Sequence, residues 1–145
     1  MDGGFTMVQL IVGEKGKGKT KNLLDKVNTE VKSVSGNIVY LDKSTKHMYE
    51  LNNKVRLIDV SDYFIDNYSE FVGFISGIVS QDHDLEQMYC DSFLILSKST
   101  LDDLDNVIAK LEKISEKFKV DFVISVSATE SQLSESTKGK VIISL

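Results

Sequence analysis

MVQLIVGEKGKGKT, residues 7–20, is the stretch from which the rest of the chain is read. Met7–Val12 is an almost unbroken apolar run that Gly13 ends, the pattern of a strand buried on both faces. From Gly13 to Thr20 every position fits G-x-x-x-x-G-K-[ST]. Beyond it Leu23, Leu24, Val27 and Val31 recur at helical spacing among Lys and Asp, and Gly36 offers a stop. Strand, glycine-rich turn and helix, in that order, is the context in which this motif has physical meaning. Gly13, Gly16 and Gly18 can take positive φ, so that backbone N–H groups close round a phosphate. The first turn of the helix adds free N–H donors and a positive dipole end. Lys19 can bridge the β- and γ-phosphates of a nucleotide, and the Thr20 hydroxyl can bind Mg²⁺. Lys15, Lys17 and Lys21 add positive charge and join the candidate nucleotide-binding set, although solvated loop lysines are the simpler account of each.

Working outward, the chain alternates two periodicities. Ile38–Leu41, Val55–Val60, Gln87–Cys90 and Val120–Val126 are apolar, strand-like runs, and Lys140–Leu145 reads as a last strand. Around Asp66–Ser80, Phe71, Val72, Ile75, Ile78 and Val79 form one helical stripe. Thr100–Lys119 is the clearest helix, with Leu101, Leu104, Val107, Ile108, Leu111, Ile114 and Phe118 on one face, Ser99 or Thr100 as cap, and Asp102 and Asp103 at the positive end. Buried strands separated by amphipathic helices define an α/β fold, a mostly parallel sheet of about five to six strands with helices on both faces. Residues 1–6 read as a short disordered extension and residues 7–145 as one nucleotide-binding domain. Ligands of such sheets sit beyond the carboxyl ends of the strands, where Gly13, Asp42, Asp91 and Ser127 fall.

Composition narrows the classes. The chain has 145 residues, 41% apolar and 27% charged, with a net charge of -5, so neither disorder nor electrostatic steering to nucleic acid is expected. A single cysteine, Cys90, builds no disulfide framework or cysteine zinc site and fits a reducing, cytoplasmic location. No apolar run nears the roughly 18 residues of a membrane span, and no secretory signal pattern is visible. Among 17 cations only Arg56 is an arginine.

These motifs carry a resemblance. The chain is similar over nearly its whole length to P-loop NTPases. More closely it resembles small, single-domain bacterial P-loop proteins of uncertain role, through GEKGKGKT (13–20), VRLIDVSDYF (55–64), YCDS (89–92) and DFVISVSA (121–128). Members are labelled ATP-binding or, by loose analogy, twitching-motility-type ATPases. The resemblance implies the additional-strand sheet, in which another strand separates the P-loop strand from the strand bearing the acidic Mg²⁺ partner (Walker B). Glu14 stands where the deviant, partition-type loop carries its lysine.

Three aspartates end apolar runs and are candidates for that partner: Asp91 first, then Asp42, then Asp59. Each is also what a turn former or helix cap looks like. Asp91 fits the position implied by the resemblance, so Lys19 and Asp91 form the candidate catalytic pair and Thr20 and Asp91 the candidate metal pair. Motor ATPases place Glu after this Asp to polarise water, and here the residue is Ser92. Ser127 is the best candidate for a γ-phosphate sensor, beside Ser125 and Thr129. Arg56 is either an arginine finger, supplied within the chain or in trans, or simply a salt-bridge partner. His47 and His83 lie in polar stretches and read as surface residues.

The expected function is an ATP-binding protein and slow Mg²⁺-dependent ATPase that couples nucleotide state to a protein partner or to another copy of itself. The alternative is a non-hydrolysing switch or adaptor, which Ser92 favours. A nucleoside or nucleotide kinase is disfavoured because such enzymes clamp phosphates with several arginines. No N-K-x-D guanine motif is present, which favours ATP over GTP.

Overall fold

The computed structural model describes residues 7–145; the extension expected at residues 1–6 lies outside the described residues. The elements are β1 (Val8–Gly13), α1 (Lys19–Glu30), β2 (Asn37–Asp42), β3 (Val55–Asp59), α2 (Tyr68–Gln81), β4 (Leu85–Cys90), α3 (Phe93–Ser97), α4 (Leu104–Phe118), β5 (Asp121–Ser127), α5 (Glu135–Lys138) and β6 (Val141–Ser144). All expected strands and long helices are present within about two residues of their expected bounds, except that α4 begins at Leu104, four residues after the expected Thr100, behind a 3-10 turn at Leu101–Asp103. The short helices α3 and α5 were not expected.

The six strands form one sheet in the order β3-β2-β4-β5-β1-β6, and every pairing is parallel. β5 separates β1, which leads into the loop, from β4, which leads to Asp91. This is the additional-strand arrangement. Parallel strands need crossovers that cover the faces, so the central strands are mostly apolar and buried on both faces, while the edge strands β3 and β6 are only partly buried. Val39, Leu41, Met88, Cys90, Phe122 and Ile124 pack on one side with Phe71 and Ile75 of α2, Phe93 of α3 and Val107 and Leu111 of α4. Ile11, Ile38, Tyr40, Tyr89 and Val123 point to the other side, under Leu23, Leu24 and Val27 of α1. Burying each such α1 side chain is worth about 1.5–3 kcal/mol, which fixes the helix on the sheet.

The helix caps follow the polar residues. Asn67 accepts the Glu70 N–H at the start of α2. Thr100 and Asp103 form a reciprocal box ahead of α4, the cap expected there.

Gly36 needs a correction. Helix α1 ends at Val31, which stays right-handed, and Gly36 does not have positive φ. It is required for space instead: a Cβ there would overlap the Asp84 carbonyl and meet the Glu86 side chain, which accepts the Gly36 N–H. Because backbone rather than a flexible tip blocks it, Gly36→Ala is expected to cost about 1–3 kcal/mol. Thermal unfolding should then show a Tm lowered by roughly 3–10 °C.

Candidate functional site

The loop begins where β1 ends. Gly13 pairs with Ser127 of β5 and bridges to Ala128. Gly16 and Gly18 have φ of 85° and 96°, and a Cβ at either would meet nothing within 4 Å, so conformation and not space demands glycine. Gly13 differs from the expectation. It is not left-handed, and a Cβ there would lie 3.0 Å from the Leu145 Cβ. The turn closes on the Glu14 carbonyl, which accepts the Lys17 N–H at 3.2 Å and the Lys19 Nζ at 3.1 Å. Lys19 is therefore folded back over the loop and is only 9% exposed. Burial lowers its pKa; the Asp91 charge opposes that, and the Lys43 charge adds to it.

Helix α1 starts unlike α2. Its cap is Gly18, which has no side chain to offer, and its first turn contains no acidic residue. The N–H groups and the positive dipole end are left to an anion from outside the helix. At α2, Asn67 and Glu70 already meet that need.

The three aspartates separate cleanly. Asp91, 3% exposed, accepts Thr20 Oγ1 at 3.2 Å and Ser125 Oγ at 3.0 Å on Oδ1, and the Tyr40 hydroxyl at 3.1 Å on Oδ2. Burial raises the Tyr40 phenol pKa, and the Asp91 and Asp42 charges push the same way, so Tyr40 stays a donor. Asp42 stands beside Asp91 at the end of β2 and receives no hydroxyl. Its Oδ1 accepts the Lys43 N–H at 2.7 Å. Asp59, on the edge strand, caps the following turn through Ser61 N–H and Oγ, at 3.0 and 2.6 Å. It is the turn former that the sequence also allowed.

Thr20, Lys19, Asp91 and Ser127 line one open cleft of about 540 Å³, together with Lys15, Gly16 and Gly18 from the loop. That size falls within the range of small-ligand sites. Its other walls are Lys43, Ser92, Leu94 and Ile95. Lys17 and Lys21 do not line it. The Lys17 amide is engaged by Glu14, and Lys21 pairs along α1 with Asp25 at 3.3 Å. Arg56 lies near the start of β3, at the opposite edge of the sheet, and pairs with Asp82 at 3.6 Å. It takes part in a salt bridge and lies away from the loop of its own chain. His47 pairs with Glu50.

Several site residues escaped the sequence reading. Tyr40 looks like a core residue, and Ser125 reads in sequence only as a candidate phosphate sensor, yet both hold Asp91. Ser125 Oγ also accepts the Ser92 N–H at 2.8 Å, fixing Ser92 in a left-handed conformation (φ 55°) just after the carboxylate. Lys43 and the apolar wall of α3 carried no sequence signal beyond adjacency to Asp42 and Asp91. Among the described residues no cluster of three or more His, Cys, Asp or Glu could hold a metal. None of the described helices is long and apolar enough to cross a membrane.

No protein-family model matches the chain, and no curated protein does either. Among solved structures it is similar to the pCW3 conjugation coupling protein TcpA, in its monomer form with ATPgS. The likeness covers 97% of this chain and 48% of that one, at 13% identity and a TM-score of 0.46. The chain thus spans about half the length of that protein.

Proposed function

We propose that this protein binds ATP with Mg²⁺ at the Gly13–Thr20 loop and hydrolyses it slowly, coupling nucleotide state to a partner protein or a second copy of itself. The observation that carries the reading is the meeting of Thr20 and Asp91. A hydroxyl and a carboxylate 71 residues apart in sequence come within 3.2 Å, beside a buried lysine and an uncapped helix start. In this reading the loop amides and Lys19 hold the β- and γ-phosphates. Thr20 and Asp91 are hard oxygen donors of the kind Mg²⁺ takes alongside phosphates, so the residues fit the ion. Bound there, Mg²⁺ would neutralise charge on the phosphate oxygens. Tyr40 and Ser125 keep the Asp91 carboxylate turned toward Thr20. In the same reading Leu94 and Ile95, which line the cleft, offer the nucleotide an apolar wall, and Ser127, which lines it too, senses the terminal phosphate. The buried free thiol of Cys90 fits a cytoplasmic setting.

A second reading, a switch that binds without hydrolysing, is favoured by Ser92 in the position after Asp91. A thermal-shift panel tests the shared core of both. ATP with Mg²⁺, at about 100 times its Kd, should add about 2.7 kcal/mol and raise Tm by roughly 5–10 °C. ATP with EDTA should give a smaller shift. If no nucleotide moves the transition, the reading is wrong.

A further inference from the structure

Hydrolysis needs a group that orients the attacking water, and Ser92 supplies no carboxylate after Asp91. The sheet brings one from the next strand. β2 lies beside β4 with Leu41 opposite Cys90, and the Asp91 N–H donates to the Leu41 carbonyl at 3.0 Å. Asp42 therefore stands next to Asp91 at the carboxyl edge of the sheet. Alternation along β2 puts it on the face of Tyr40, the face covered by α1 and turned toward Thr20 and the loop. Its neighbour Lys43 lines the cleft with Lys19 and Thr20.

What distinguishes Asp42 is an oxygen with nothing to do. The residue is 2% exposed, Oδ1 is taken by the Lys43 N–H, and Oδ2 is buried without a hydrogen-bond partner. Such an atom carries a desolvation cost that the fold does not recover. Asp91, equally buried, uses both oxygens, and Asp59 spends its carboxylate on its own turn. A buried carboxylate oxygen without a partner in the fold is open to a hydrogen bond from a bound ligand or water.

We propose that Asp42 is the water-orienting carboxylate of this site, its free oxygen accepting a proton from a water placed in line with the γ-phosphorus of bound ATP. The water oxygen forms its bond to the γ-phosphorus as the bond to the β–γ bridging oxygen breaks. ADP leaves with that electron pair, one water proton passes to Asp42, and Asp42 then returns it to solvent. The products are ADP, inorganic phosphate and a proton. The assignment rests on the ATP reading above.

The experiment pairs phosphate release with calorimetric binding of Mg²⁺–ATP for the wild type and Asp42→Asn. The variant should bind within about threefold of wild type and release phosphate at least about 100-fold more slowly. Release by Asp42→Asn at the wild-type rate overturns the assignment and leaves the ATP reading standing; a wild type that binds ATP but releases no phosphate overturns the assignment and leaves only nucleotide binding standing. A wild type that does not bind ATP overturns both.

Discussion

Lys19→Ala is expected to lower affinity for Mg²⁺–ATP by at least about 100-fold, a loss of roughly 3 kcal/mol, with the fold intact. Lys19 is not one more loop lysine. It is nearly buried, its amine already held against the Glu14 carbonyl, so little side-chain entropy remains to be lost when a phosphate replaces that contact. Its neighbours set the direction of the stability effect. Burial disfavours the charged amine, and removing it relieves that cost while giving up the Asp91 attraction and the Glu14 bond. The two largely offset, so Tm should move by only a few degrees. Lys21→Ala is the control. That side chain is exposed and paired with Asp25, and its loss should change affinity less than about twofold, as expected for a surface pair. Calorimetry on the three proteins settles the matter. Equal losses for Lys19→Ala and Lys21→Ala would mean that the loop attracts nucleotide only by its overall charge.

The strands and the loop were legible because each writes a local pattern: apolar runs for buried parallel strands, and glycine spacing for a turn that needs left-handed residues at 16 and 18. The site beyond the loop was only half legible. Asp42, Asp59 and Asp91 share one signature, an aspartate closing an apolar run. Only the strand order, which places β4 one strand from β1 and β3 at the edge, tells them apart. That Tyr40 and Ser125 hold Asp91 was invisible for the same reason. They act on Asp91 through register, Leu41 opposite Cys90 and Cys90 opposite Ile124, and register is a property of pairs of strands. Gly36 was misread because glycine after a helix usually marks a left-handed stop, whereas here it admits a neighbouring backbone. Arg56 had two open readings, and the position of β3 at the far edge sets it apart from the loop of its own chain. Helix α3 is too short for a periodic signal, and its left-handed start at Ser92 is held by a hydrogen bond from another strand.

Asp91 joins the fold to the proposed chemistry, and two substitutions should pull those roles apart. Asp91→Ala removes the acceptor of three hydroxyls at once: Thr20, Ser125 and Tyr40. Tyr40 and Ser125 are fully buried, so their orphaned donors carry a desolvation cost of about 1–3 kcal/mol each, less whatever the relief of repulsion on Asp42 returns. A net destabilisation of roughly 2–4 kcal/mol is expected, read as a lower midpoint in denaturant at unchanged m. Asp91→Asn keeps an acceptor oxygen toward Thr20 and Ser125 but places an amide, itself a donor, against the Tyr40 hydroxyl or leaves it turned away. Its cost should be nearer 1 kcal/mol. What the asparagine cannot keep is the negative charge. With Asp91→Asn, ATP affinity should lose most of its dependence on Mg²⁺ and fall to about that of the wild type in EDTA. Titrations with and without Mg²⁺ check this on a protein whose melting shows it folded. A wild-type Mg²⁺ response from Asp91→Asn would move the metal to Asp42 and reverse the roles of the two neighbouring carboxylates. An Asp91→Ala protein as stable as wild type would mean that Tyr40 and Ser125 are not holding the carboxylate in place.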